Sequence, residues 1–286
     1  MTTATPPAPP AQAGAASLPT PAASPVARFG RLMVAEWTKI RSVRSTVWTL
    51  IAFVIVTVGF TALLSLAISA NWSQAQPSQR AATISDPVAT ILGAGLEFGQ
   101  LAIAVLGVLV ITSEYSTGMI RSSLLAVPKR LPMLAAKSLV FAVLVLVIGE
   151  IVALCSFFVG GAILHSHAPV SLSDPGVTRA VLGAGLFLAV LGLFALAIGG
   201  LMRHTAGAVC TAIGVVFVLP IVASFLPGSW GQHIHDYLPS QAGAMISQAH
   251  EGLHQTLSPW QGFGVFCAET AILLAAAFYL LQRRDA

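Results

Sequence analysis

The sequence predicts an all-α polytopic membrane protein with six transmembrane helices. Three observations lead to this fold class. Of the 286 residues, 56% are hydrophobic and only 8% are charged, whereas a soluble domain carries about a quarter charged residues. Six apolar runs are each near the length that crosses a bilayer. The basic residues concentrate on one side of the topology that these runs generate, which places both termini in the cytoplasm.

The chain begins with two segments that precede the first apolar run. Residues 1–26 are rich in Pro, Ala, Thr and Ser and lack bulky apolar groups, so they are predicted to form a disordered tail. Residues 27–45 combine apolar side chains at helical spacing with several cations, a pattern typical of an amphipathic helix on an anionic membrane face. An ordinary cytoplasmic extension of the first span is the alternative. The residues expected to serve the interfacial role are Arg31, Glu36, Trp37, Lys39, Arg41 and Arg44.

Residues 46–284 are predicted to form the six-span membrane domain. The third apolar run is too long for the hydrocarbon core at about 1.5 Å per residue, so this helix is expected to tilt or project. Only Arg203 and His204 separate the fourth and fifth runs, which predicts a tight turn, and Pro220 is expected to kink the fifth span. The predicted spans are 46–69, 92–112, 133–163, 180–202, 205–226 and 261–281.

The distribution of basic residues orients these spans. With alternating sides, twelve of the fourteen lysines and arginines fall on one face and two, Arg80 and Arg179, on the other. The face rich in cations is therefore predicted to be cytoplasmic. In this topology residues 227–259 lie outside, where short interfacial or re-entrant helices are expected.

The most polar interruption between the apolar runs is residues 114–130, EYSTGMIRSSLLAVPKR. It contains a carboxylate, a Ser/Thr/Gly turn, a short apolar face and a proline, and it ends in two cations at the inner surface. A short helix lying across the cytoplasmic face fits this pattern. An ordinary charged loop fits the spacing equally well.

Two stretches resemble a known family. Residues 35–50, AEWTKIRSVRSTVWTL, resemble the opening of actinobacterial-type ABC-2 permeases, the membrane subunits of ATP-binding-cassette exporters. Residues 114–121, EYSTGMIR, resemble the segment after the second span of that family, where a Glu precedes a Thr-Gly pair and a short coupling helix. In place of a more charged Arg-Glu pair, this chain has Tyr115-Ser116. Six spans and a long external segment between the last two also match the family.

The resemblance implies a permease subunit of an exporter in the cell membrane, working as a homodimer or heterodimer with a separate ATPase subunit. The chain has no GxxxxGK[ST] motif, so it is not expected to be an enzyme, and ATP and Mg would be bound by the partner. Nucleic-acid binding is not expected, because no basic stripe is interleaved with aromatics. By resemblance, the residues that would dock the ATPase and relay its closure are Glu114, Tyr115, Thr117, Gly118, Arg121 and Leu124.

Besides Glu97, which lies in the first turns of the second span and is expected near the outer headgroups, two acidic residues fall inside apolar runs, Glu150 in the third and Glu269 in the sixth. A carboxylate in hydrocarbon is costly, so each is expected to face the protein interior, pair or be protonated. Each is a candidate for the translocation path, and a hydrogen bond that fixes helix packing is the alternative.

A second class of function is raised by residues 250–254, HEGLH, which match the H-E-x-x-H pattern of zinc peptidases. Gly252 weakens a helix there, and no third ligand is evident beyond His233 or His235. No metal site is therefore predicted, and a membrane-embedded metallopeptidase remains an alternative. A third reading is a non-transporting membrane anchor or immunity protein. The apolar character of the spans does not identify a transported substrate.

Overall fold

The computed structural model describes residues 25–116, 130–250 and 255–283, and these residues form helices and no strands. The residues predicted as a tail, apart from its last two, lie outside the described part of the chain. The helices are α1 (Pro25–Ser42), α2 (Arg44–Ala70), α3 (Pro77–Ser85), α4 (Pro87–Ser116), α5 (Arg130–Leu164), α6 (Val177–Met202), α7 (Thr205–Ile213), a π-helical turn (Gly214–Val218), α8 (Leu219–Ser224), α9 (Gly228–Asp236), α10 (Pro239–Ala244), a 3-10 turn (Met245–Ser247) and α11 (Pro259–Arg283).

Six of these segments are long and apolar enough to cross a membrane, which confirms the predicted all-α polytopic fold. They are α2, α4, α5, α6, the continuous unit from α7 to α8, and α11. The 35 residues of α5 correspond to about 52 Å of helix, well beyond a hydrocarbon core of about 30 Å. Because the number of crossings is even, α1 and the end of α11 lie on the same side of the membrane.

The central helix of the bundle is α6, which packs against α4, α5 and α11 and is the most buried of the six spans. Its small residues allow close approach of neighbouring backbones. A Cβ atom on Gly107 of α4 would lie 2.5 Å from the carbonyl oxygen of Gly192 of α6. This contact has no room for a side chain, so glycine is required there.

The first span, α2, is held against α4 by a stripe of buried residues at every fourth position, Phe53, Thr57, Thr61 and Ser65. Phe53, Thr57 and Thr61 lie over Gly95 and Gly99, which form a GxxxG pattern in α4. A Cβ atom on Gly95 would lie 2.6 Å from the Thr57 carbonyl oxygen and would collide with the Thr61 hydroxyl. The GxxxG surface is therefore used within the chain.

Two local features shape the fifth span. One is the turn before it at Arg203 and His204, and the other is the π-helical turn before Pro220. Arg203 adopts a left-handed conformation with φ 55° and ends α6, and the ring Nδ1 of His204 accepts a hydrogen bond from the amide of Gly207 at 3.2 Å to begin α7. The π-helical turn comes immediately before the kink predicted at Pro220. Its wider turn loosens the backbone pairing, and the carbonyl of Val216 accepts a hydrogen bond from Ser240 Oγ at 2.9 Å.

The segment between the last two spans contains the short helices α9 and α10, in agreement with the expectation from its composition. It is folded back onto the bundle. Asp86, at the start of α4, accepts a hydrogen bond from the His250 amide at 3.2 Å. Buried Asp236 accepts two from Thr256, at 3.1 Å from the amide and 2.9 Å from the hydroxyl. These carboxylates bind the segment to itself and to the second span.

Candidate functional site

A buried group of four charged residues joins the N-terminal helix to the bundle; we call Glu36, Lys39, Glu114 and Lys137 the ion cluster. It forms because α1 presents Phe29, Met33, Glu36 and Ile40 along one face, at intervals of four, three and four residues. This stripe packs mainly against α5. Glu36 is 3% exposed, and it thus lies in the middle of the apolar contact that docks α1.

The carboxylates of the ion cluster alternate with its ammonium groups. Lys137 Nζ donates to Glu36 Oε2 at 2.6 Å and to Glu114 Oε1 at 2.8 Å. Lys39 Nζ donates to Glu36 Oε1 at 2.8 Å and to Glu114 Oε1 at 3.2 Å. Two positive and two negative groups therefore balance, and they connect three separate elements: α1, the last turn of α4 and the second turn of α5.

Burial and the neighbouring charges shift the pKa values of Glu36 and Lys39 in opposite directions. Burial alone would raise the pKa of Glu36, but the nearby Lys137 ammonium and hydrogen bonds from both lysines hold that pKa below its ordinary value of 4.5. Burial alone would lower the pKa of Lys39, but its bonds to Glu36 and Glu114 hold that pKa above 10.5. The charged form of both groups is therefore favoured from acidic to strongly alkaline pH.

The pH range over which Glu36 and Lys39 stabilise the folded state follows from the direction in which folding shifts each pKa. The contribution of Glu36, whose pKa is depressed by folding, is fully present above 4.5 and is lost as the pH falls through the lower folded value. The contribution of Lys39, whose pKa is raised, is fully present below 10.5 and is lost as the pH rises through the higher folded value. The titration of Glu36 and of Lys39 therefore does not alter the docking of α1 between these limits.

Glu114 also lines a cavity of about 210 Å³ between α1, α2 and α4. The residue is 5% exposed, and its Oε2 atom has no hydrogen-bond partner among the described residues. Buried polar atoms are usually paired. Glu114 therefore accepts both lysine hydrogen bonds with Oε1, while Oε2, near the end of α4, has no partner among the described residues.

The next residue, Tyr115, connects the same turn of α4 to the other side of the bundle. The guanidinium carbon of Arg203 lies 5.4 Å from the centre of the Tyr115 ring, a cation–π distance. Arg203 Nη2 also donates to the carbonyl of Leu280 near the end of α11, at 3.5 Å. Adjacent residues of α4 thus contact α1 and α5 on one side and the α6–α7 turn and α11 on the other.

The residues expected to dock an ATPase divide into two groups. Glu114 and Tyr115 lie within this arrangement. Thr117, Gly118, Arg121 and Leu124 lie outside the described residues, so the short helix expected across the cytoplasmic face is neither seen nor contradicted.

The residues expected to serve the interfacial role also divide into two groups. Glu36 and Lys39 belong to the ion cluster, with Glu36 facing the protein instead of the membrane surface. Trp37 is 46% exposed, and it shares an outward orientation with Arg31, Arg41 and Arg44. An exposed aromatic ring among cations is typical of a helix at the membrane interface.

Sequence reasoning did not identify Lys137 or Arg203 as members of a site. Both were counted as cations that orient the membrane spans. Lys137 lies seven residues into α5 and is 2% exposed, and a lysine inside an apolar run must have an acidic partner. That requirement was a usable signal, but the sequence offered no way to choose between Glu36 and Glu114.

The two intramembrane acids lie apart from the ion cluster and from each other. The Glu150 carboxyl group lies against Gly185 of α6, where a Cβ atom would be 2.5 Å from its Oε1. Glu269 lies midway along α11 and faces a cavity. In each residue the Oε2 atom is buried and has no hydrogen-bond partner among the described residues. The choice between a path role and a packing role stays a prediction for both.

The HEGLH pattern is mostly outside the described residues, which include His250 but not the four positions that follow it. His250 contributes its backbone amide to Asp86, as noted above. Within residues 25–116, 130–250 and 255–283, no three metal-binding side chains come together. The metallopeptidase alternative therefore gains no support from the described geometry.

Comparison with known proteins does not identify a family. The chain matches no protein-family model, and no curated protein matches it. What is established is a multi-pass membrane protein with six spans. A more specific function has to be inferred from the ion cluster and its position at the end of the second span.

Proposed function

We propose that this chain is the permease subunit of an ABC-2-type exporter in the cell membrane. It would form the translocation path with a second permease, identical or different, and it would be driven by a separate ATPase subunit that binds ATP and Mg. The observation that carries the proposal is the position of Glu114. This residue joins the ion cluster and opens residues 114–121, which resemble the segment of that family in which a Glu precedes a Thr-Gly pair and a short coupling helix.

The ion cluster is suited to transmit a displacement. Glu114 shares Lys39 with α1 and Lys137 with α5, so the last turn of α4 cannot shift alone without separating buried opposite charges. Separating such charges is strongly unfavourable. A push on residues 117–129 would therefore move α1 and α5 together with α4.

Tyr115 would extend the same displacement to the rest of the bundle. Through Arg203 it contacts the turn between the fourth and fifth spans and, beyond it, the end of α11. Closure of the ATPase subunits would in this way shift both halves of the bundle and alternate access to a central path. The exposed Trp37 and neighbouring cations would keep α1 at the membrane surface during the movement.

The experiment co-expresses the chain with its candidate ABC ATPase and reconstitutes the complex in lipid nanodiscs. We expect the ATPase to co-purify and its hydrolysis rate to depend on the permease. Gly118→Pro should reduce assembly. Glu114→Gln should retain assembly but lower coupled ATP hydrolysis about tenfold or more, because Lys39 and Lys137 both lose their charged acceptor and a hydrogen bond to a charged group is worth roughly 1.5–3 kcal/mol.

A matched control is available on the same helix. Glu97→Gln makes the same chemical change near the opposite end of α4, where Glu97 accepts a hydrogen bond from Gln100 at 2.8 Å. It should leave assembly and hydrolysis unchanged. If Glu114→Gln and Gly118→Pro both behave like this control, residues 114–121 do not couple the two subunits and the proposal is wrong.

A further inference from the structure

A cavity of about 480 Å³ lies between α6, α7 and α11, about halfway along α11. Its rim includes Met202 and Ile272, which are 44% and 68% exposed, so it opens on the apolar surface of the helix bundle. A drug-sized molecule typically occupies a pocket of about 300–1,000 Å³. The cavity is therefore large enough for such a molecule and reachable from the membrane.

The wall of this cavity is apolar except at one point. Phe194 and Ile198 of α6, Val215 of the π-helical turn and Leu273 of α11 supply hydrocarbon surface. The hydroxyl of Thr211 is engaged, since its oxygen donates to the Met202 sulfur at 3.2 Å. Glu269 alone adds an acidic group, and none of the residues that line the cavity is basic.

Glu269 lacks the partner that an acid in this position needs. Its Oε2 atom is buried without a hydrogen-bond partner among the described residues. A carboxylate in hydrocarbon costs several kcal/mol unless it is paired. The described arginines of α6, α7 and α11, which are Arg179, Arg203 and Arg283, stand near helix ends and not beside Glu269.

We propose that this cavity binds a hydrophobic organic cation taken from the membrane, with the positive group beside Glu269 and the apolar body against α6 and α11. An organic anion would place like charge beside the carboxylate. A lipid chain would fill the volume but leave Glu269 unpaired. A bare metal ion would need several oxygen ligands, and this wall provides one carboxyl group.

The inference does not depend on the proposed exporter function, because it concerns binding to this chain alone. If the chain is a permease, the cavity gives its cargo or a modulator access from the bilayer. The test below uses no ATPase, so its result and that of the coupling experiment are independent.

The probe is tetraphenylphosphonium, a cation enclosed by four phenyl rings, and its counterpart is tetraphenylborate, which has the same shape and the opposite charge. Binding of radiolabelled probe is measured to the purified full chain in nanodiscs of zwitterionic lipid, with empty nanodiscs subtracted. Each ion is measured alone, and we expect saturable binding of the cation and no saturable binding of the anion. Glu269→Gln should weaken binding about tenfold or more, because the cation would lose its only ionic partner.

Two further variants make the result specific. Glu150→Gln removes the other intramembrane acid, which lies against Gly185 outside this cavity wall, and it should bind the probe as the unmodified chain does. Leu273→Trp keeps the carboxyl group but fills the cavity, so it should abolish binding. This variant tests the site even if Glu269→Gln fails to fold. Equal binding by Glu269→Gln and the unmodified chain, equal binding of tetraphenylborate, or no saturable binding would each overturn the proposal.

Discussion

Replacing Lys137 with methionine tests whether the ion cluster holds α1 against the bundle. Methionine has nearly the length of lysine and no charge, so it preserves packing while removing the group that bonds both carboxylates. The cluster would then contain Glu36 and Glu114 with only Lys39 between them. One negative charge would remain uncompensated in a site where Glu36 and Glu114 are 3% and 5% exposed.

The magnitude follows from the two distances. Lys137 Nζ lies 2.6 Å from Glu36 Oε2 and 2.8 Å from Glu114 Oε1. At an effective dielectric constant of about 20, each contact corresponds to roughly 6 kcal/mol of attraction before desolvation. Desolvation of the ions offsets much of this, and removing one partner of a buried pair costs about 3–5 kcal/mol net. We expect a loss of that size in the docking of α1.

Lys39→Met is the matched control in the same cluster. The Lys39 side chain is 29% exposed, whereas that of Lys137 is 3% exposed. After Lys39 is removed, Lys137 still bonds both carboxylates, and the contacts that are lost are those of a partly solvent-exposed ammonium group. The expected cost is about 1 kcal/mol.

The assay is hydrogen exchange of the backbone amides of α1 in nanodiscs. If α1 exchanges by local release from the bundle, 3–5 kcal/mol corresponds to faster exchange by about two to nearly four orders of magnitude in Lys137→Met, against less than about tenfold in Lys39→Met. Adding Glu36→Gln to Lys137→Met removes the surplus charge and should recover part of the protection. Exchange in Lys137→Met within about fivefold of the unmodified chain would show that the cluster does not hold α1.

Three other predictions concern packing, pH and the external segment. Gly107→Ala should destabilise the bundle by about 1–3 kcal/mol in thermal unfolding, because the added methyl group overpacks the contact with α6. Gly93→Ala is the control, since a Cβ atom there meets nothing within 4 Å, and it should be neutral or slightly stabilising. Equal effects of the two substitutions would contradict the close helix contact. Protection of α1 from hydrogen exchange should not change through Glu36 or Lys39 between pH 4.5 and 10.5, and it should fall as acidification protonates Glu36. A midpoint near neutrality would refute this assignment. Asp236→Ala should leave the Thr256 amide and hydroxyl without their acceptor and cost about 1–3 kcal/mol. We expect faster proteolysis of the segment between the last two spans, and unchanged proteolysis would mean that this pair does not hold the segment.

Much of the fold could be predicted because membrane insertion depends on local composition. The six runs of apolar residues each correspond to a spanning helix, since a helix in hydrocarbon satisfies its own backbone hydrogen bonds without help from distant residues. The tight turn at Arg203 and His204 and the irregularity near Pro220 are also local effects. The positions of both could therefore be derived from neighbouring residues alone.

The candidate site was only partly predictable, for a physical reason. Glu36, Lys39 and Glu114 were identified individually, from a helical pattern and from a resemblance, but nothing in their spacing indicates that they meet. Lys137 joins residues 101 and 23 positions away along the chain. Which acid a buried lysine contacts depends on how the helices pack.

The sequence by itself therefore determined the number and the approximate positions of the spans, because hydrophobicity acts on each segment separately. Only the tertiary structure decided which charges pair, because Coulomb attraction in a buried site depends on distances between helices. The packing of α1 on α5 turned Glu36 from a residue of an interfacial helix into the centre of a buried cluster. The packing of α6, α7 and α11 likewise placed Glu269 at the wall of an apolar cavity.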